Sequence, residues 1–588
     1  MFASHLYRGD DMDEVRTRPQ DIAQQSTGRP DWTAPGPGSW FLDASHVPRP
    51  LCRFTASVMP DAVMAGFADT LARYGSLLEQ MDVAIVGGFM YSRLRAVGAP
   101  PDAVGPPPEP VFRQLLQEVP ALRERLATAE AVLAERRWRQ DLQLWDDSVK
   151  PALHALHRAL TSVALPALDD RELCDHVDRC AAALSEGHLQ HHRHNAPAML
   201  PVGDLVVHTL RWAGVPPADV LACLAGASPV TEGAPEELAD LVAALADDED
   251  AAALVRDDTV EPENMLGHLV GLPGPVGDRA AVYLSALSAL PVDGEDAVGE
   301  PGSLEAPGLV AGRIRGALQP DGRRDHASAK EAAARVRAAV PPEHRAEFDE
   351  LLTEALMVYR LRDERAVHGD RLMGSAARSA LLEVGRRLQD RGALDDATDA
   401  VDLDADEVRS MLMEGRGPSR EEVAERVRWR RTADYRDMPP GFGPPPGPPV
   451  PAAWLPPAAA RIHEAVGFVV SAVLQDAARA SEARAVHGLG VSAGSHEGIA
   501  RVIAGPEELS RIQAGDVLVA SSTGPAFNLV LPRLGAIVTD RGGLLSHAAI
   551  VAREFGIPAV VGCQDATRVL PDGARVRVDG ASGTVTLL

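Results

Sequence analysis

The stretch that most constrains this chain is AIVTDRGGLLSHAAIVAREFGIPAVVG, residues 536–562. Ala536–Thr539 reads as a buried strand. Asp540-Arg541-Gly542-Gly543 reads as a tight turn whose glycines can take positive φ. Ser546 is placed to N-cap a helix whose first turn holds His547. Gly556, followed by Pro558, closes that helix. A helix N-terminus offers unpaired N–H groups and partial positive charge, which suits a phosphate. A histidine there can also carry the phosphate itself. Its imidazole is nucleophilic near neutrality, with an ordinary pKa of about 6.5. One difficult transfer is then split into two easier ones. On these residues alone, a histidine that merely caps a helix fits equally well.

Around this motif the texture of the sequence is α/β. From Gly488 onward, β-branched runs alternate with glycine turns, as in DVLVASS, LGAIVTD and ARVRVDG. Upstream the apolar spacing is helical over most of 40–437. The periodicity predicts helices over 67–81, 147–187, 203–226, 235–256, 262–290, 328–338, 343–415 and 420–431. Another is predicted over 111–145, divided at Pro120. The expected organisation is an N-terminal extension (1–39), a helical body (40–437), a Pro-rich linker (438–459), a connecting helix (460–487) and an α/β domain (488–588).

Composition removes several classes. The 58 Lys and Arg against 84 Asp and Glu leave a net charge of −26. Such a chain repels nucleic acid and anionic membrane. An apolar fraction of 45% supports a large core. Five scattered cysteines are no disulfide framework. With no apolar leader and no apolar run of helix length, a cytoplasmic protein is expected. No metal centre is expected either, since Cys174, His176 and Cys180 lack structural-zinc spacing.

The motif Thr539-Asp540-x-Gly542-Gly543-x-x-Ser546-His547-Ala548-Ala549-Ile550, with Thr523-Gly524-Pro525 upstream, closely resembles the swivelling phosphohistidine domain of phosphoenolpyruvate-utilising enzymes. The resemblance covers about 488–588. It implies a multidomain protein: a large all-α acceptor-binding body plus a C-terminal α/β swivelling phosphohistidine domain. It implies His547 as phosphoryl carrier, with Thr539, Gly542, Gly543 and Ser546 positioning the phosphate. Residues 359–412 resemble the helical segment before that domain in rifampin phosphotransferases, through Arg362-Asp363-Glu364, Arg371, Arg378, Gly392-Ala393-Leu394, Asp399, Leu403 and Glu407.

No Gly-rich phosphate loop, ATP-grasp region or phosphoenolpyruvate-binding barrel is recognisable. Glu14–Pro19 (EVRTRP) is similar to the strand that closes the family's ATP-grasp domain. The arrangement resembles phenylphosphate synthase, in which one subunit carries the phosphohistidine and another binds ATP. The resemblance therefore implies ATP and Mg2+ on a separate ATP-grasp partner, and a hydroxyl of a small organic molecule as acceptor. Two other outcomes stay open: a dehydratase or cyclase that uses phosphate as a leaving group, and a regulatory protein whose carrier domain is retired.

For the acceptor side, His188, His191, His192 and His194 lie in one histidine-rich segment. The first three share a helix face and could include a general base. Arg362 and Arg371 suit charge stabilisation on a moving phosphoryl group. Each set also fits a solvated helix face. Trp40, Phe41, Asp43 and His46 fit either a pocket wall or a packed edge of the bundle.

Overall fold

The protein is described here by a computed structural model, which covers residues 32–228, 235–257, 259–287, 296–318, 327–474, 485–524, 527 and 530–588. The Glu14–Pro19 fragment, Pro525 and the end of the connecting helix beyond Leu474 lie outside these residues.

Most of the chain up to Leu474 is helical. The breaks fall where backbone chemistry demands them. Pro120 opens a new helix, Pro120–Glu135, directly after Glu109–Glu118. The periodic stretch 147–187 splits at Pro166, and Asp169 then caps the helix Asp170–Arg193 in a reciprocal box with Glu172. The stretch 343–415 becomes Arg345–Tyr359, Leu361–Ala366, a π-helical turn Val367–Arg371, then Leu372–Asp390 and Ala405–Glu414. The helix expected over 67–81 ends at Arg73. Gly75, at φ +66°, presses against the Ala129 backbone, where an added Cβ would lie 2.5 Å from Ala129 N.

A small sheet interrupts the helical body. β1 (Trp40–Leu42), β2 (Leu78–Val86), β3 (Phe89–Ala96) and β4 (Gly441–Phe442) pair antiparallel in the order β2-β3-β1-β4. Gly87 and Gly88, both at positive φ, make the β2–β3 turn. β4 belongs to the Pro-rich stretch, which is thus fastened rather than loose. Gly447 N also donates to Val104 O, and Trp454 packs on Phe112 with ring centroids 5.8 Å apart.

The C-terminal domain is an eight-stranded sheet, ordered β5-β12-β11-β7-β8-β9-β10-β6. Its strands are β5 (Ala485–His487), β6 (Leu489–Ser492), β7 (Ser495–Ile503), β8 (Asp516–Ala520), β9 (Leu534–Thr539), β10 (Ala559–Val561), β11 (Arg575–Asp579) and β12 (Thr584–Leu587). β7, β8, β9 and β10 run parallel, and antiparallel strands flank them. β8, β9 and β10 are nearly continuous apolar runs because both faces are covered, whereas β7 is more polar and only partly buried.

One close helix contact carries the connection to this domain. The helix Asn195–Ala213 meets Pro457–Leu474 at Gly203, where a Cβ would fall 1.9 Å from Ala465 O. Gly203→Ala is expected to destabilise the chain by about 1–3 kcal/mol, as overpacking of a filled core does. A thermal midpoint equal to that of the parent chain would contradict it.

Candidate functional site

The carrier loop is built at the C-terminal ends of β8 and β9. Thr539 ends β9 fully buried, and its Oγ1 donates to Arg541 O at 2.7 Å. Asp540 N and Arg541 N donate to Ala520 O and Ser521 O, tying the loop after β9 to the loop after β8. The Asp540 carboxylate is fully buried and accepts from Thr567 N (2.9 Å) and Thr567 Oγ1 (2.5 Å). Gly542 sits at φ +118°, with room for no side chain: a Cβ would lie 2.7 Å from Ser546 Oγ. Gly543 O accepts from Ser546 N at 3.1 Å. Ser546 caps the helix His547–Phe555, its Oγ accepting from Ala549 N, and Gly556 at φ +64° ends it. The structure therefore gathers Thr539, Gly542, Gly543, Ser546 and His547 in one loop-to-helix transition.

This loop is docked on the helical body. Arg436 Nη2 donates to Asp540 Oδ2 at 2.7 Å, and the Arg541 guanidinium lies 4.1 Å from the Tyr435 ring centroid. Leu545 N donates to Ala472 O, and Leu545 joins the apolar cluster of Val202, Tyr359, Val469 and Ala472. On another side, Ala306 and Leu309 pack on the apolar layer that includes Leu518, Ile537 and Ala549.

Docking brings charge to His547. Burial pushes the His547 imidazole down to a pKa of about 3; Asp363 opposes that shift, while Arg371 and Arg362 add to it. The ring is thus neutral at physiological pH, with a lone pair available. Asp363 also accepts from Ser228 Oγ at 2.6 Å and pairs with Arg362 at 3.6 Å. Arg362 Nη1 and Thr523 Oγ1 are buried and have no hydrogen-bond partner among the described residues. The two arginines read from the sequence, about 180 positions upstream, thus contribute to the electrostatics of His547.

The histidine segment divides in two. His191 Nδ1 lies 3.1 Å from Asp370 Oδ1, and His188 Nδ1 lies 3.6 Å from Asp370 Oδ2. Asp370 directly precedes Arg371 on the π-helical turn. His192 Nδ1 instead donates to His188 O at 2.8 Å, and its ring packs on Phe67. His194 is fully buried, donates to Gln190 O at 2.8 Å and meets Trp145 edge-on. Arg378 is held by Glu305 and Val298 O. Asp43 binds His46 at 2.8 Å just beyond β1, the inner strand that holds Trp40 and Phe41. Asp43, Phe41 and Arg541 line a cavity of about 180 Å³.

Asp363, Asp370 and Arg436 are site residues that periodicity does not reveal. The first two stand beside the arginines in sequence, a signal equally typical of ordinary ion pairs. For Arg436 there is no local signal at all. Among the described residues, no three His, Cys, Asp or Glu side chains are grouped to hold a metal ion, and no helix is long and apolar enough to cross a membrane.

Comparison with known proteins agrees with the loop geometry. Residues 512–583 match the family described as PEP-utilising enzyme, mobile domain. An uncharacterized phosphotransferase of Bacillus subtilis is 34% identical over 247 residues, covering 42% of this chain and 28% of that protein. A probable phosphoenolpyruvate synthase of Archaeoglobus fulgidus is 50% identical over 98 residues, 17% of this chain and 13% of that protein. A rifampicin phosphotransferase of Bacillus cereus is 43% identical over 106 residues, 18% and 12% respectively. The matched part of this chain thus spans between about a tenth and a third of each relative's length. The 247-residue match is longer than the carrier domain, so likeness extends into the helical body. Residues 512–583, which hold the glycine turn, the Ser546 cap and His547, are thus similar to the mobile domains of PEP-utilising enzymes, and named phosphotransferases are among the chain's relatives.

Proposed function

We propose that this chain is a phosphotransferase component: His547 takes up a phosphoryl group, and the docked domain passes it to a hydroxyl of a small organic acceptor held by the helical body. The observation that carries this reading is His547 at the start of a helix capped by Ser546, just beyond the Gly542-Gly543 turn, in a loop held on the helical body by Arg436 and within residues 512–583. Phosphoryl transfer spreads charge over the oxygens of the moving group, so catalysis rests on positioning and positive charge. Arg362 Nη1 and Thr523 Oγ1 are donors suited to those oxygens. The neutral imidazole is both a competent nucleophile towards a donor and a good leaving group once protonated by solvent.

The donor is ATP with Mg2+, bound by a separate ATP-grasp protein. Phosphohistidine reaches that partner when the domain leaves the helical body, and tethering keeps its return effectively intramolecular. The test supplies γ-labelled ATP, Mg2+ and an ATP-grasp protein in trans, with potassium phosphoramidate as a partner-free chemical donor. Acid-labile, base-stable phosphate on His547 is the expected result. A chain that neither donor labels at that residue would overturn the carrier role.

Docking should also depend on pH. A released His547 has the ordinary pKa of about 6.5, whereas the docked ring is pushed down to about 3. Docking strength from this group is complete above pH 6.5 and falls as pH drops from 6.5 towards 3, because only the released form takes up the proton. Each pH unit in that window should weaken docking about tenfold. A fluorescent donor–acceptor pair across the two domains reads this between pH 8 and 5. An equal slope in His547→Gln would remove the effect from this histidine.

A further inference from the structure

The helix Asp170–Arg193 and the π-helical turn Val367–Arg371 touch backbone to backbone. A Cβ on Gly187 would lie 2.9 Å from Asp370 N and from Gly369 C and O. Gly369 itself leaves helical geometry, at φ −93° and ψ −107°. π-helical turns inside longer helices frequently mark functional sites. Here the turn delivers a carboxylate, 5% exposed, to two imidazoles one helical turn apart.

The surroundings hold this cluster in place. Arg365 Nη1 donates to His191 O at 3.0 Å and also binds Asn195 Oδ1. The His192 ring stacks on His191, with centroids 4.6 Å apart. The titratable and charged groups around His191 include Asp370 on the turn, Arg365 on Leu361–Ala366, and His188 and His192 on its own helix. The next residue of the turn, Arg371, is the one that reaches the field of His547.

We propose that Asp370 is a positioning residue for transfer: by accepting from Nδ1–H of His191 it leaves Nε2 of that ring unprotonated, as the base for the acceptor hydroxyl. This rests on the carrier reading above. In the step, the bond between phosphorus and the His547 nitrogen breaks, and its electron pair returns to that ring. A bond forms between phosphorus and the acceptor oxygen. The hydroxyl proton passes to His191 Nε2, and Asp370 stabilises the resulting imidazolium until solvent removes the proton. A carboxylate that fixes a histidine's tautomer is a recurrent outer partner of reactive imidazoles, and its loss typically costs roughly 10- to 100-fold.

The test uses the full chain, charged on His547 with potassium phosphoramidate, with His547→Ala as the blank. Failure of the parent chain to charge would count against the carrier reading, not against Asp370. Discharge is followed by phosphorus NMR between pH 5 and 8, in water and with phenol as acceptor. Asp370→Asn should charge as the parent does, discharge roughly 10- to 100-fold more slowly at pH 7, and show an altered pH profile; Asp370→Glu should restore part of the rate. Nitrogen-15 spectra of the labelled histidines read the tautomer without turnover. The parent should show His191 protonated at Nδ1 and bare at Nε2, and Asp370→Asn should lose that preference. A parent His191 protonated at Nε2, or an Asp370→Asn chain with parental discharge and pH profile, overturns the proposal.

Discussion

His547→Ala is expected to abolish acid-labile phosphate on this chain under conditions that fully charge the parent. The effect should be complete, because the carrier function depends on one ring nitrogen. Ser546 and Gly543 shape the loop around it, yet neither offers a nitrogen nucleophile. Other imidazoles are committed elsewhere: His194 is buried against Trp145, and His192 bonds its own helix. The substitution removes a side chain at the first position of a helix that Ser546 still caps, so the fold should survive. Peptide mapping of the charged chain, before and after mild acid, is the measurement. Undiminished label in His547→Ala would move the carrier to another residue and dissolve the reading of the docked interface.

Charging and discharge should come apart in the double variant Arg362→Ala/Arg371→Ala. In the docked arrangement both guanidinium groups contribute to the charge that His547 feels. On the proposed function, loading takes place away from that surface, so the variant should charge normally. Discharge should slow by roughly 10²–10³, the usual loss when a donor aimed at developing oxyanion charge is removed. Docking of the uncharged domain should persist, since Arg436–Asp540 and the packing of Leu545 are untouched. Single-turnover decay of phosphohistidine, beside the interdomain fluorescence signal, separates the two steps. Equal losses in charging and discharge would show that the arginines serve the fold rather than the transfer.

Legibility followed the range of the interactions. The carrier loop could be read directly because its parts are neighbours: strand end, two glycines, cap and histidine span only nine residues, 539–547. The helix-breaking roles of Pro120 and Asp169 are equally local. The β2–β3 hairpin also had a local signal, Gly87-Gly88 between alternating residues, but helical spacing on its N-terminal side masked it. Proline density suggested a Pro-rich linker over 438–459. Within it Gly441 and Phe442, which follow Met438-Pro439-Pro440 and keep their N–H groups, add a short edge strand to the small sheet.

Taken alone, the sequence determined the local build of the candidate site: an imidazole at a capped helix start, beyond a glycine turn, on an α/β module joined to a helical body. Backbone φ preferences and capping act within a few residues, so a linear string contains them. Only the tertiary structure decided what that imidazole meets. Arg362, Asp363 and Arg371 approach it across about 180 residues, Arg436 fastens Asp540 across 104, and Gly187 admits the turn that carries Asp370. Such meetings depend on how whole helices pack, and packing is set by the summed shape of many side chains rather than by any one segment.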